Sequence, residues 1–318
     1  MKRTLVLSTL VAVGAMSIAV AGFQAPAGAP AQGQGEGRGR GEGRGRGPAA
    51  PPMLEIKKVK DNLYMIVGAG GNTAVFLTAA GVVLVDTKNP GTGQAILDKV
   101  KTVTDKPIVT VINTHTHADH TGSNEFFGTT VEFVVQENTK ANMEKMPNFK
   151  DDKSVFLPKK TFKDKLTLGK GKEEIDLFYF GPSHTSGDAF VVFKEARTMH
   201  AGDAFAGKNT PIIDTMNGGS SVGYGKTLSK AASSIKNVDT VIGGHTNDPM
   251  TFADLKQYAD FNNDFVTWVQ GEIKAGKSVD EAAAEYKVPD KYPGYTVGTF
   301  FGGIKGNIQT TYTELGKK

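Results

Sequence analysis

Histidine is scarce in this chain of 318 residues, six in all, yet three of them crowd into one short stretch. The stretch is INTHTHADHTGS, residues 112–123, with His115, His117, Asp119 and His120 inside six positions. In extended backbone, side chains two apart project the same way, so His115 and His117 can share one cation. Asp119 and His120 follow closely enough to serve a second cation beside it. Neutral imidazole and carboxylate are donors for zinc, and with less selectivity for iron or manganese. The chain contains no cysteine. Thiolate ligands, a thiolate nucleophile and disulfides are therefore excluded, and any metal here takes nitrogen and oxygen donors.

Three later segments carry the same kind of side chain. GPSHTSGD (181–188) presents His184, HAGDAF (200–205) presents Asp203 behind Gly202, and GGHTND (243–248) presents His245. Each follows an apolar run and a glycine or proline turn, as the histidine cluster follows PIVTVINT (107–114). Strand ends of one sheet face a common edge, where open α/β sheets place their ligands. One such loop is weak testimony; four in one chain point to a single site.

The elements that must position these loops are legible as short apolar runs. LEIKKVK, NLYMIVG, NTAVFLT and GVVLVDT (54–60, 62–68, 72–78, 81–87) read as strands separated by Asp-Asn or Gly turns. A helix is expected at about 93–104, where Ala95, Ile96, Val100 and Val103 recur at helical spacing. In the second half, 176–181, 189–193 and 239–244 read as strands, and helices are expected near 223–236, 252–275 and 279–286. Helices follow strands in both halves, which gives a two-layered α/β domain, not a helical bundle or a pure β-sandwich.

The N-terminal part has a different character. Met1, Lys2 and Arg3 precede an apolar run from Leu5 to about Val20, and Ala19-Val20-Ala21 offers a small-x-small cleavage pattern. Residues 1–21 are expected to be a signal peptide that directs the chain to the periplasm or outside the cell. The run falls short of the roughly 20 apolar residues of a membrane span, so no stable anchor is expected after cleavage. Residues 22–52, rich in Gly, Arg, Pro and Ala, have one aromatic and no apolar face, and read as a disordered linker before a folded domain at 53–318. Residues 1–52 hold six of the 37 Lys and Arg and two of the 33 Asp and Glu, leaving 31 of each in the remainder. The folded part is formally neutral, so net charge gives no reason to expect a nucleic-acid partner. A small-molecule substrate is expected.

The run HTHADH, taken with His184, Asp203 and His245, resembles the His-x-His-x-Asp-His pattern of the metallo-β-lactamase superfamily, over residues from about 55 onward. The resemblance implies a four-layered αβ/βα sandwich with the site along one edge. It implies that His115, His117 and His184 bind a first metal, that Asp119, His120 and His245 bind a second, and that Asp203 bridges them, giving two zinc ions per chain. The reaction implied is metal-assisted hydrolysis, with Asp119 orienting the attacking water and accepting its proton. Asp86, ending the apolar run GVVLVDT, and His200, beside Asp203, are expected behind the ligands. Lys208, Tyr224 and Lys226 follow Asp203 and are candidates for substrate contact.

Details of the pattern separate the branches of that family. Diiron relatives carry glutamate at the position of His117, and one lactamase subclass carries cysteine at that of Asp203. A bridging aspartate is the pattern of glyoxalase II-type thioesterases and lactonases, while the expected export argues against an intracellular thioester. Gly122-Ser123 stands where the lactamase signature has Gly-Gly or Gly-Pro. The resulting expectation is an exported dinuclear zinc hydrolase of esters, lactones, thioesters or amides. Two other readings stand beside it: a periplasmic β-lactamase, and a surface- or polyanion-binding protein whose metal site is structural.

Overall fold

The computed structural model describes residues 53–316. The expected signal peptide (1–21) and linker (22–52) lie outside the described residues. The first sheet has seven strands in chain order: β1 (Glu55–Lys60), β2 (Leu63–Val67), β3 (Thr73–Leu77), β4 (Val82–Val85), β5 (Ile108–Ile112), β6 (Glu132–Gln136) and β7 (Lys160–Phe162). Strands β1 to β4 pair antiparallel, and β4 to β7 pair parallel. The second sheet comprises β8 (Lys165–Leu168), β9 (Ile175–Phe178), β10 (Phe190–Phe193), β11 (Thr198–Gly202), β12 (Thr240–Gly243) and β13 (Met250–Thr251), in the order β13-β12-β11-β10-β9-β8. The helices are α1 (Gly93–Lys101), α2 (Ala118–Thr121), α3 (Glu137–Met143), α4 (Ser221–Ser234), α5 (Phe252–Lys274), α6 (Val279–Glu285) and α7 (Gly303–Gly316).

Strand alternation sets the layers. In β10, Val191 and Phe193 pack toward the first sheet, while Phe190 and Val192 pack toward α4 and α5. In β4, Val83 and Val85 face the second sheet, and Val82 and Leu84 face Ile96 and Val100 of α1. Both strands are buried on both faces, which is why their sequences are unbroken apolar runs. Each such side chain contributes about 1.5–3 kcal/mol relative to exposure. The order is helix, sheet, sheet, helix: four layers, not the two that the strand-helix alternation alone suggested. Periodicity shows that a strand is buried on both faces but does not say whether a helix or a second sheet covers it.

Strand direction puts the polar loops together. Strands β4 and β5 are parallel, so the loops after them, beginning at Asp86 and Asn113, leave the same edge. Strands β11 and β12 are also parallel, which places Asp203 and His245 at one edge of the second sheet. Strand β9 is antiparallel to β10, which is antiparallel to β11, so the β9–β10 connection carrying His184 emerges at that edge too. Asn72 sews the edges: its N–H donates to Gly244 O (2.7 Å), and its side-chain amide to Gly243 O (2.8 Å) and Thr246 O (2.7 Å).

The helices end where local chemistry dictates. Helix α5 starts in a capping box between Thr251 and Asp254, and Ser220 caps α4 by accepting from Gly223 N–H. Among the described residues, no helix is long and apolar enough to cross a membrane.

Candidate metal centre

All seven expected ligand positions meet at the joined edges. Strand β5 runs into Asn113, whose amide donates to His120 O (3.1 Å) and fixes the return of the cluster loop. His117 is the extended residue before the single turn of α2, so His115 and His117 lie on one side and Asp119 and His120 on the next. His184 sits in a loop closed by Asp188, which accepts from Ser183 Oγ (2.6 Å), Thr185 N (2.8 Å) and Thr185 Oγ1 (2.6 Å). Asp203 follows Gly202, whose φ of 49° lies in the left-handed region that glycine enters without strain. A Cβ at Gly244 would overlap the Asp203 carboxylate, so that position requires glycine.

One ligand atom from each of His115, His117, His184 and Asp203 lies within 4.8 Å of the others, and Asp119, His120 and His245 form a second such group. His117 Nδ1 stands 3.2 Å from His115 Nε2 and 2.9 Å from His184 Nε2. Asp203 lies between the groups: Oδ1 is 3.3 Å from His120 Nε2, and Oδ2 is 3.2 Å from His245 Nε2 and 3.8 Å from His184 Nε2. Asp119 Oδ2 is 3.3 Å from His245 Nε2 and 3.7 Å from His120 Nε2.

The outward nitrogens assign the tautomers. His184 Nδ1 meets Ile212 O (2.7 Å), an acceptor only, so Nδ1 carries the proton and Nε2 turns a lone pair inward. His117 Nε2 meets the Asp214 carboxylate (2.7 Å), which leaves a lone pair on Nδ1. Thr114 Oγ1 donates to Asp86 Oδ2 (2.7 Å), so it accepts from His115 Nδ1 (3.1 Å), and His115 Nε2 also points a lone pair inward. His120 Nδ1 donates to the same Asp86 oxygen (2.7 Å). Lone pairs facing one another at 2.9–3.2 Å repel unless a cation lies between them. His120 Nε2 and Asp203 Oδ1 are buried with no hydrogen-bond partner, which is costly for polar atoms left alone. The donor set therefore fits divalent cations on both sides of Asp203.

The electrostatics agree. Burial and the neighbouring imidazoles of His120, His184 and His117 hold His115 well below the usual histidine range. Burial also lowers His184. Burial opposes charge on His120 as well, but Asp203 and Asp86 overcome it and hold that imidazole well above its ordinary value. For His245 the same contest, with Asp119 and Asp203 prevailing over burial, ends at about 9. Asp203 is held well below the carboxylate range by His120 and His245 against a burial penalty. The second group is thus a field that attracts positive charge, which a divalent cation answers better than protons.

Asp86 is fully buried and serves two ligands at once, directly through His120 and through Thr114 for His115. His200 is also fully buried: Nε2 donates to Asn72 O (3.0 Å) and Nδ1 accepts from Gly202 N–H (3.1 Å), so it braces the strand end before Asp203. All three of the expected substrate residues require correction. Tyr224 is fully buried and donates to Asp203 O (2.7 Å); it positions Asp203 and cannot reach a substrate. Lys208 is ion-paired with Asp254 (2.7 Å) and does not line the cavity. Lys226 lies exposed on α4, likewise outside the cavity wall. All three follow Asp203 in sequence, but Tyr224 and Lys226 lie on α4, which turns only one side chain in three or four toward any given feature, and Lys208 lies in a loop drawn to Asp254.

Sequence reasoning missed Asp214, whose carboxylate, lowered by the His117 hydrogen bond against a burial penalty, fixes that ring. Its place before Thr-Met-Asn-Gly suits a residue that caps the turn it begins, but nothing local points it at His117. Asp188 was written in GPSHTSGD, three residues beyond Thr185, a spacing suited to a local side-chain turn. Lys88 was also missed. It is fully buried and donates to Ile66 O (2.9 Å) and Gly71 O (2.7 Å) beneath the site, and burial, against the pull of Asp86, lowers it to about 7.

A cavity of about 560 Å³ opens over the two groups. His117, Asp119, His184, Asp203 and His245 reach it, together with Asn89 and Asn209 and an apolar wall that includes Phe300 and Phe301.

The sequence model of the metallo-beta-lactamase superfamily matches residues 67–245, more than half of the chain, including every ligand position from His115 to His245. The chain belongs to the metallo-beta-lactamase superfamily. It is 24% identical over 209 residues to metallo-beta-lactamase type 2 of Elizabethkingia meningoseptica, covering 61% of this chain and 79% of that protein. Its fold is similar to that of the inverting sec-alkylsulfatase Pisa1 from Pseudomonas sp., with a TM-score of 0.70 and 17% identity over 84% of this chain. It spans about half (51%) of the alkylsulfatase's length. It is also similar to a metallo-beta-lactamase from Pontibacter korlensis, with a TM-score of 0.57 and 18% identity, covering 66% of this chain and 99% of that one. As a member of this superfamily, the protein is a metal-dependent hydrolase, and the four-layered sandwich expected of the family is the one described above.

Proposed function

We propose that the protein is an exported dinuclear zinc hydrolase that cleaves carboxylic esters and lactones, with thioesters and amides of the same geometry as further substrates. The observation that carries this reading is Asp203, placed between two groups of donors whose inward atoms lack any other partner. His115, His117 and His184 would hold one ion, Asp119, His120 and His245 the other, with Asp203 shared. Zinc is favoured by an all-nitrogen and carboxylate donor set without cysteine. Bound there, the ions would supply an activated water and polarise the scissile carbonyl.

The remaining work falls to the chain's own residues. Asp119 is lowered from its ordinary value because His245 and His120 outweigh its partial burial, so it stays ionised. Its side chain is one-third exposed (32%) at the cavity floor, where it can orient a water and take its proton. Asp86 and Asp214 keep the His120 and His117 rings from rotating. The apolar wall limits water around the reacting group, which strengthens each electrostatic contact.

The β-lactamase reading is carried by the 24% identity to the type 2 enzyme. Metal analysis coupled to a substrate panel separates the two. The expected result is about two zinc ions per chain, with turnover of esters and lactones and little of a chromogenic cephalosporin. Fewer than about two metals with no metal-dependent turnover would sink the dinuclear reading. Fast cephalosporin cleavage without ester or lactone cleavage would replace it with the lactamase one.

A further inference from the structure

The cavity wall contains a feature from outside the segment that matches the family. Phe300 and Phe301 stand 67% and 51% exposed, although water penalises exposed aromatic surface. Phe301 lies at φ 49°, ψ 42°, a left-handed conformation that is an outlier for a bulky residue. Such strain persists only where the surroundings impose it. Here they do. Thr296 pairs with the segment after Asp203, donating to Lys208 O (3.1 Å) and accepting from Thr210 N–H (2.9 Å). Gly298 N–H donates to Thr210 Oγ1 (2.9 Å), and Asn307 of α7 donates to Pro211 O (2.7 Å). Behind the corner, a Cβ on Gly306 would run into the Phe301 carbonyl. Glu314, at the far end of α7, accepts from the N-terminal turn of α4 at Ser221 (2.9 Å) and Val222 (3.0 Å).

So fixed, Phe301 stacks over the ligand His117, with ring centroids 6.0 Å apart and planes 23° apart. Ala118, Ala206 and Ile212 continue the apolar wall. Among the described residues, no lysine or arginine lines the cavity, and Lys208, next to the lining residue Asn209, is held by Asp254. A substrate carrying a second anionic group would find no side-chain cation to meet it, whereas an uncharged apolar group would find aromatic and aliphatic surface beside the reacting centre.

Resting on the ester-hydrolase reading above, we propose that the Phe300–Phe301 corner is the specificity element of the site and seats the apolar acyl portion of an uncharged carboxylic ester or lactone. The experiment compares 4-nitrophenyl acetate with 4-nitrophenyl hexanoate in the zinc-loaded wild type and in a Phe300→Ala/Phe301→Gly double variant. A buried methylene is worth about fourfold in affinity, so the four extra methylenes, even partly covered, should give the wild type at least about a tenfold preference in kcat/KM for hexanoate. In the variant the preference should fall to about threefold or less, read chiefly as a rise in the KM for hexanoate. Glycine suits φ 49°, so Phe301→Gly alone should fold with an unchanged or higher Tm while still losing preference. Saturation-transfer NMR with 1-hexanol on the protein as purified reads the corner without turnover. Transfer to the alkyl chain is expected in the wild type and not in the double variant. A wild type without chain-length preference, or a preference surviving in the double variant, overturns the proposal. If neither ester is turned over, the ester-hydrolase reading fails instead and the NMR arm decides the corner. Saturation transfer to hexanol that the double variant abolishes upholds the corner; transfer missing from the wild type, or equal in both proteins, overturns it.

Discussion

Replacing Asp86 by asparagine tests how the metal centre is held without touching a ligand. Asp86 has a φ of 65°, a conformation asparagine adopts as readily as aspartate, so the backbone has no reason to move. The carboxylate accepts from three donors: Thr114 N on Oδ1, and Thr114 Oγ1 and His120 Nδ1 on Oδ2. An amide has one acceptor oxygen. If that oxygen faces Thr114 N, the new NH2 meets His120 Nδ1–H and Thr114 Oγ1–H. His120 then escapes the clash only by moving its proton to Nε2, the atom that points at Asp203. If the amide turns over, the NH2 faces Thr114 N–H instead. Either way, a buried hydrogen bond to a charged acceptor becomes two donors face to face, at a cost of about 1.5–3 kcal/mol. Where it falls on His120 it converts to roughly 10- to 150-fold weaker binding at the second metal position, the range common for carboxylates behind ligand histidines; where it falls on Thr114 N–H it appears as a lower Tm instead. The assay is zinc competition with a chromogenic chelator on wild type and Asp86→Asn, with elemental stoichiometry and a melting curve on the same samples. The first ion should weaken less, because His115 is reached only through Thr114. Loss of under twofold at both positions together with an unchanged melting curve would refute the tautomer assignment.

Two further outcomes follow from the surroundings. Gly71→Ala should reduce zinc at the second position and activity with it, although Gly71 is no ligand, because a Cβ there would overlap the His120 ring; full zinc content in that variant would show that the ring has room to move. Lys88 is held at about 7 by burial, against about 10.5 when unfolded. The folded state therefore binds fewer protons than the unfolded state between those values, and stability should rise with pH from about 7 to 10.5. Urea unfolding of Lys88→Met beside wild type should remove a slope amounting to several kcal/mol over that window; equal slopes in both proteins would refute it.

The ligands were legible because each stands at a strand end beside glycine, a pattern that survives without knowing how strands pair. Which edge they share was not, since it depends on the parallel pairings β4/β5 and β11/β12, which are long-range. Strands β6, β7, β8 and β13 and helices α2, α3 and α7 went unread. In α7, three glycines and three threonines weaken local helical preference, and packing of Ile308 against Phe265 and Val269 of α5 supplies what propensity does not. Tyr224 was misread for a similar reason: a phenol looks like a substrate contact until the helix is known to turn it inward. Asp214 carries a local signal only for capping a turn and Phe301 carries none, and each acquires meaning at the site only from the ring of His117 lying against it.

Five of the six histidines line the candidate metal centre, and the sixth, His200, braces it from behind. No other stretch of the chain carries a side chain whose unperturbed charge changes near neutrality. The outer surface should therefore keep its charge, its solubility and its long-range field nearly constant from mildly acid to mildly alkaline surroundings. All six imidazoles are gathered at one edge of two sheets, so their NMR resonances would report metal loading of that edge with no surface imidazole in the background.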